Sequence, residues 1–217
     1  MRPSASLNAS LRKAVSKYHA ALPGSPAGEY LEADRGLPLT KIDKFRIGFV
    51  AEPEVGHEVY RGRLAIPYLR RSVAGDWSIK GMKFRSVPGV PCVKDDTKYL
   101  YLPGEKPRLY NTVAAIDNDD EIAITEGELD AITASAFGVP AVGAPGATTW
   151  QPHWSEIFYG YETVYALTDG DKAGLKFGTD LSKVLGNVKI IPMDDGEDVN
   201  SMVHKYGIKK ILERMGK

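Results

Sequence analysis

Residues 165–174 read "YALTDGDKAG", an apolar run that stops at two aspartates one residue apart, with glycine between and after them. Extended upstream to "TVYALT" (163–168), the run predicts a buried strand, and "KAGLKFGTDLSKVLG" (172–186) predicts a helix. Strand, acidic turn and helix make up the unit of a parallel α/β sheet, whose ligand sites form beyond the carboxyl ends of the strands. The rest of 117–217 repeats that unit. "EIAIT" (121–125) is a strand leading through Gly127 into the helix "ELDAITASAFG" (128–138), and "VPAVGA" (139–144) is the next strand. "NVKIIP" (187–192) is a fourth, followed by acidic "MDDGEDVN" and one helical stretch, "SMVHKYGIKKILERM" (201–215). Strands alternating with helices predict a mainly parallel sheet joined by crossovers.

Upstream the pattern differs. Leu7, Leu11, Val15, Tyr18 and Leu22 recur at helical spacing until Pro23-Gly24. "AGEYLEADRG" (27–36) reads as a second helix ending at Gly36, "LTKIDKF" (39–45) as a third, and "RIGFV" (46–50) as the start of extended chain. "RLAIPYL" (63–69), "WSIKGMKFRSV" (77–87) and "KYLYL" (98–102) alternate with turns, which predicts a small antiparallel or mixed sheet. "LPGEKPRLYN" (102–111) is a loop. The expected fold is therefore α/β: a mixed α+β subdomain over 1–116 and a parallel-sheet domain over 117–217.

The 217 residues are 43% hydrophobic and 26% charged, as in folded globular chains. No apolar run is long enough to cross a bilayer, the first 22 residues have no signal-peptide pattern, and a single cysteine, Cys92, excludes an internal disulfide. A cytoplasmic setting is expected. The net charge of zero conceals two opposed halves. Residues 1–116 carry 19 Lys+Arg against 11 Asp+Glu, a balance of +8, and residues 117–217 carry 9 against 17, a balance of −8. A basic half beside an acidic half fits a polyanion on one and a metal on the other, and equally two unrelated solvated surfaces.

Three of the expected strands end in acids: Glu126 after the first, Asp169 and Asp171 after the third, and Asp198 beyond the fourth. Neighbouring strands lie near 4.8 Å apart, so these carboxylates are expected within about 5–10 Å of one another. Carboxylates that close repel unless a cation lies among them, and oxygen donors favour Mg²⁺ or Mn²⁺ over zinc. Gly127 and Gly170 would leave room for phosphate. Three rival readings bear on "DGD". A lone Asp-Gly is commonly a turn. An EF-hand would use Asp169, Asp171, Gly174 and Asp180, but it fails at Ala173, at Asp180 in place of glutamate, and because a strand precedes the acids. An aspartyl phosphatase would want a hydroxyl soon after the second acid, where Lys172-Ala173 stands.

"ITEGELDAIT", "ALTDGDKAG" and "DDGEDVNSMV", in this order, resemble the Toprim domain of bacterial and phage primases. "YHAALPGSPAGEYLEADRGLPLTKIDKFRIGFV", "GRLAIPY", "MKFRSV" and "TKYLYLPGEKPRLYN" resemble the amino-terminal part of the DnaG-type polymerase core, so the likeness covers nearly the whole chain. It implies that Glu126 is the Toprim glutamate, Asp169 and Asp171 the metal-binding pair, and Asp198 the acid of the "GED" element. Asn200 stands where bacterial members usually carry a further acid. The resemblance also implies that Arg63, Arg85 and Lys98 face template and nucleotide phosphates. Lys83, Lys106 and Arg108 are further candidates beside a loop where the match shifts by a residue. Tyr99 and Tyr101 could offer base stacking, on the expectation that they face opposite sides of their strand.

The implied activity is synthesis of short RNA primers on a single-stranded DNA template from nucleoside triphosphates, with Mg²⁺ or Mn²⁺. Separate zinc-ribbon or helicase partners are expected, as for a phage-like core that lacks those modules, and no membrane is involved. A Toprim-type nuclease and a non-catalytic nucleic-acid-binding subunit are the alternatives. The four histidines, the glycine-rich "GAPGATT" (143–149) and Cys92 carry no assigned chemistry. Trp77, Trp150 and Trp154 are expected to be packing anchors.

Overall fold

The computed structural model describes residues 5–72, 74–93, 97–117, 120–146 and 148–217. Residues 1–4, at the start of the stretch read as lacking a secretion signal, and Ala147 of the glycine-rich segment lie outside them. The chain divides into two units, 1–106 and 107–217.

In the first unit, helix α1 (Ala5–Ala20) buries Leu11, Val15 and Tyr18, while Leu7 remains 49% exposed at its frayed start. α2 (Pro26–Glu29) begins on a Ser25 cap whose Oγ accepts from Gly28 N–H, and continues as one wider π turn, Tyr30–Asp34. The expected third helix is α3 (Leu39–Ile42), finished by a 3₁₀ turn. The strands β1 (Gly48–Phe49), β2 (Arg63–Arg71), β3 (Trp77–Ser86) and β4 (Tyr99–Tyr101) pair antiparallel in sequence order. β2 is buried along its first six residues, as a strand covered on both faces must be. A glycine is required at 48, because a Cβ there would stand 2.4 Å from the Tyr18 carbonyl carbon of α1.

In the second unit, β5 (Glu121–Thr125) leads into α4 (Glu128–Ala136) and β6 (Ala141–Gly143). β7 (Thr163–Thr168), α5 (Lys172–Val184) and β8 (Val188–Pro192) follow. The expected single terminal helix is two, α6 (Val199–Tyr206) and α7 (Lys209–Met215), because Gly207 turns the chain with φ of 74°. All strand pairs are parallel, in the order β6-β5-β7-β8. Ile122, Ile124, Val164 and Ala166 of the two central strands share one core with Phe177 and Leu181 of α5 and with Trp154 and Phe158.

The division falls ten residues before the expected 116/117, and packing gives the reason. Leu109 belongs to the second core, Tyr110 bridges Gly143 through both backbone hydrogen bonds, and Asn111 Nδ2 donates to Ala141 O and Ser135 Oγ. The loop read from the sequence is thus a strap laid across the edge strand β6.

Candidate functional site

The three acid-bearing strands β5, β7 and β8 are consecutive in the sheet, so their carboxyl ends are neighbours. Backbone contacts tighten this end further. Met193 N–H donates to Thr168 O at 2.9 Å, Gly170 N–H to Glu197 O at 2.8 Å, and Gly196 N–H to Gly170 O at 2.8 Å. The loop from β8 is therefore hydrogen-bonded onto the Asp-Gly-Asp turn. Glycine at 170 follows from this contact: an added Cβ would lie 1.7 Å from the Asp194 carbonyl oxygen. Gly170 thus accommodates the neighbouring loop, a different reason from the phosphate room expected of it.

Glu126 Oε1 accepts from Asp169 N–H at 2.9 Å, which joins the first acid to the second across the sheet. Gly174, in the first turn of α5, makes the room, since a Cβ there would stand 2.2 Å from Asp169 O and 2.7 Å from Glu126 Oε1. Burial raises the Glu126 carboxyl above its ordinary value. The Asp169 N–H opposes the rise, and the charges of Asp171 and then Asp130 add to it. Asp171 caps α5, its Oδ1 accepting from Gly174 N–H at 2.7 Å. Asp198 caps α6 in a reciprocal box with Ser201, with Oδ1 accepting from Ser201 N–H at 2.7 Å. Both are N-terminal ends of helices, where the backbone dipole favours a carboxylate.

Asp130 was not foreseen. It is 9% exposed, its Oδ1 accepts from Asn200 N–H at 3.1 Å, and its charge reaches Glu126. The signal for it was the spacing: four residues after Glu126, inside the first turn of the helix that follows. Asn200 is 1% exposed and turns to α4, where Nδ2 donates to Thr133 Oγ1 at 2.9 Å. It ties α6 to α4.

The donor set is all carboxylate, which suits a hard divalent ion. Burial is the main cause of the raised Glu126 carboxyl, and a bound cation would offset both it and the smaller repulsion from Asp171 and Asp130. Among the described residues, no three His, Cys, Asp or Glu side chains are gathered into a metal-holding group as placed. Glu126 is tied to the Asp169 backbone by its hydrogen bond, and the charge of Asp171 reaches it.

The basic candidates separate by burial. Arg63 is fully buried, with Nη1 donating to Thr97 O at 2.8 Å and Nη2 to Val93 O at 3.0 Å, so it braces the chain between β3 and β4 rather than presenting its guanidinium to solvent. Arg85 is 7% exposed and donates to Tyr99 Oη at 2.6 Å and Tyr30 Oη at 3.0 Å. Lys83, 3% exposed, lies 4.1 Å from the Tyr99 ring centre and 5.3 Å from that of Tyr101. One ammonium thus meets both tyrosines. They face the same side, as residues two apart on a strand must, and the expected opposite facing is corrected. Lys98 is exposed, 5.7 Å from the Tyr99 ring centre. Arg108 is half-buried in the second unit, its Nε enclosed without a hydrogen-bond partner, and Lys106 is exposed.

Among the tryptophans, Trp154 is core at 6% exposure and packs edge-on to Trp150, while Trp77 is 49% exposed, against expectation. It follows the tight turn between β2 and β3 and is no packing anchor.

Comparison with known proteins places these features. The Toprim-like family matches residues 123–203, the span from β5 into α6 that carries all four acids. The Gene 57 protein of Mycobacterium phage D29 is 49% identical over 158 residues, covering 72% of this chain and 100% of that protein. The DNA primase of Haemophilus influenzae is 26% identical over 223 residues, covering 86% of this chain and 37% of the primase, so the chain spans little over a third of that protein. The RNA polymerase domain of Mycobacterium tuberculosis primase DnaG shares the fold, with a TM-score of 0.78 at 19% identity, over 100% of this chain and 84% of that domain. The chain belongs to the family of the phage D29 Gene 57 protein, carries a Toprim-like region, and has the fold of DnaG primase catalytic cores.

Proposed function

We propose that this chain is a DNA primase core, joining ribonucleotides into short primers on single-stranded DNA by nucleotidyl transfer. The supporting observation is the joined set of acids at the carboxyl end of a parallel Toprim sheet: Glu126 hydrogen-bonded to Asp169, Asp171 coupled to it by charge, and the Asp198 loop bonded onto the same turn. Proteins of this family generally use divalent metal ions. Here Asp169, Asp171 and Asp198, with Glu126, would hold Mg²⁺ or Mn²⁺. When bound, such an ion neutralises triphosphate charge and lowers the pKa of an attacking hydroxyl. Glu126, whose carboxyl burial raises above its ordinary value, is suited to accept the proton of the attacking 3′-hydroxyl. The bond formed joins that oxygen to the α-phosphorus of the incoming nucleotide, and pyrophosphate departs.

Primase cores bind DNA. In this chain exposed Lys98 is the best placed of the expected phosphate contacts. Lys83 and Arg85 act behind it, aligning Tyr99 and Tyr101. Arg63 supports the fold of the same segment. Residues 1–106, where the basic excess lies, would carry most of the polyanion contact.

Incubation with single-stranded DNA, ribonucleoside triphosphates and Mg²⁺ or Mn²⁺ tests the proposal, with a zinc-ribbon primase partner added in one arm. New short oligomers support it. Shortened template in their place favours the nuclease reading, and DNA binding with neither product favours a binding subunit.

A further inference from the structure

The first unit holds an open cavity of about 590 Å³ that none of the expected site residues lines. Its apolar lining residues are Val15 of α1, Leu69 and Ile79 of the β2–β3 pair, and Trp77. Arg12, Lys44 and Arg46 line it as well, with one acid, Asp76. The elements hold these groups in place. Arg12 Nη2 donates to the Trp77 carbonyl at 2.7 Å, fixing α1 to the start of β3. Arg46 sits in the left-handed region with φ of 53°, at the end of a 3₁₀ turn, and its Nη1 is 3.7 Å from Asp43 Oδ1. The Arg71 guanidinium lies 6.0 Å from the Trp77 ring centre.

The Trp77 indole is half-exposed among apolar lining residues, and an aromatic face so placed can take a flat ligand. Guanidinium and ammonium groups among apolar lining residues select a ligand that is both flat and apolar and anionic. A nucleobase with its flanking phosphates has that chemistry, and aromatic platforms joined to cationic grooves are how single strands are held without sequence readout. Base pairs in a duplex are already stacked and cannot enter. We infer that the Trp77 cavity is a stacking subsite for single-stranded template DNA, one base on the indole and its phosphates on Arg12, Lys44 and Arg46. This deepens the primase reading and rests on it for the identity of the strand.

The test titrates the full chain with oligo(dT) and with a duplex of the same length, following tryptophan fluorescence and the anisotropy of labelled DNA. The variants are W77A, W77F and R46N. Asparagine suits the left-handed backbone at 46, so R46N removes the guanidinium without strain. Oligo(dT) is expected to quench wild-type fluorescence, and W77A is expected to weaken oligo(dT) binding about tenfold with duplex binding unchanged. W77F retains a ring and loses less. R46N lowers the slope of log affinity for oligo(dT) against log salt by about 0.7. Melting temperatures of the variants near that of wild type establish that the fold is kept. W77A binding oligo(dT) like wild type, or losing single strand and duplex alike, overturns the subsite. Primer synthesis by wild type together with unchanged W77A binding would remove the subsite and leave the primase reading standing. A Trp77-dependent grip on the strand without primer synthesis would do the reverse.

Discussion

At the scale of single residues, Glu126 is held by one backbone N–H and opposed by two carboxylates. A carboxyl raised by burial binds protons more readily in the folded chain than in the unfolded one. Its unfavourable contribution is therefore full above the folded pKa and fades as pH falls through that value toward the ordinary one. With metal removed by chelator, acidification through this window is expected to relieve that contribution, a slight rise set against the losses from carboxyls held low, Glu121 and Glu197 among them. E126Q, which keeps the oxygen that accepts from Asp169 N–H, should abolish that rise. The effect is a few tenths of a kcal/mol, because this group is only partly buried and solvent screens it. The same variant should lose about 10²- to 10⁴-fold in primer synthesis if Glu126 accepts the proton. Chemical denaturation across pH, beside the synthesis assay, checks both. Asp171 and Asp198 require a different substitution. Each caps a helix, so alanine would cost about 1 kcal/mol of stability whatever its effect on chemistry. D171N and D198N keep a capping oxygen and remove the charge. Both are expected to unfold within about 0.5 kcal/mol of wild type and to lose synthesis.

At the scale of elements, Arg63 and Asn200 are joints. R63M leaves the Val93 and Thr97 carbonyls without their guanidinium, and about 2–3 kcal/mol of stability should go with it. The salt slope of DNA binding in the protein that remains folded should not change. K98A is expected to show the opposite: unchanged stability and a slope smaller by about 0.7. N200D places a carboxylate where the amide nitrogen now donates to Thr133 Oγ1, a hydroxyl already donating to Leu129 O at 2.7 Å. The buried charge lies near Asp130, so N200D should destabilise the metal-free protein by about 1–3 kcal/mol, read from its melting temperature in chelator.

The same scale shows what the amino-acid order discloses. β5 and β7 coincide with their quoted stretches because strands buried on both faces read as unbroken apolar runs. The acids followed from knowing where such strands end. The strap 107–116 was illegible because its partner, Gly143, lies some thirty residues away and pairs through backbone alone. That Arg63 is buried was not legible, because a buried and an exposed arginine look alike in a string of letters. The helical stretch 201–215 concealed a break that Gly207 could have announced.

At the scale of the whole molecule, the opposed charges of the two parts of the sequence fit a protein that meets polyanions mainly through its first unit. Single-strand affinity should fall steeply with salt, by about 0.7 in log–log slope for each phosphate contacted. No helix among the described residues is long and apolar enough to cross a membrane. Everything proposed about chemistry depends on acids from β5, β7 and the β8 loop acting together on one divalent ion. Oligonucleotide synthesis on single-stranded DNA with Mn²⁺, run with wild type and the D169N/D171N double variant at matched folded concentration, tests this most directly. Wild type should yield short labelled oligomers that chelator abolishes, and the double variant should yield none. Oligomers made equally well by the double variant would contradict the proposed site.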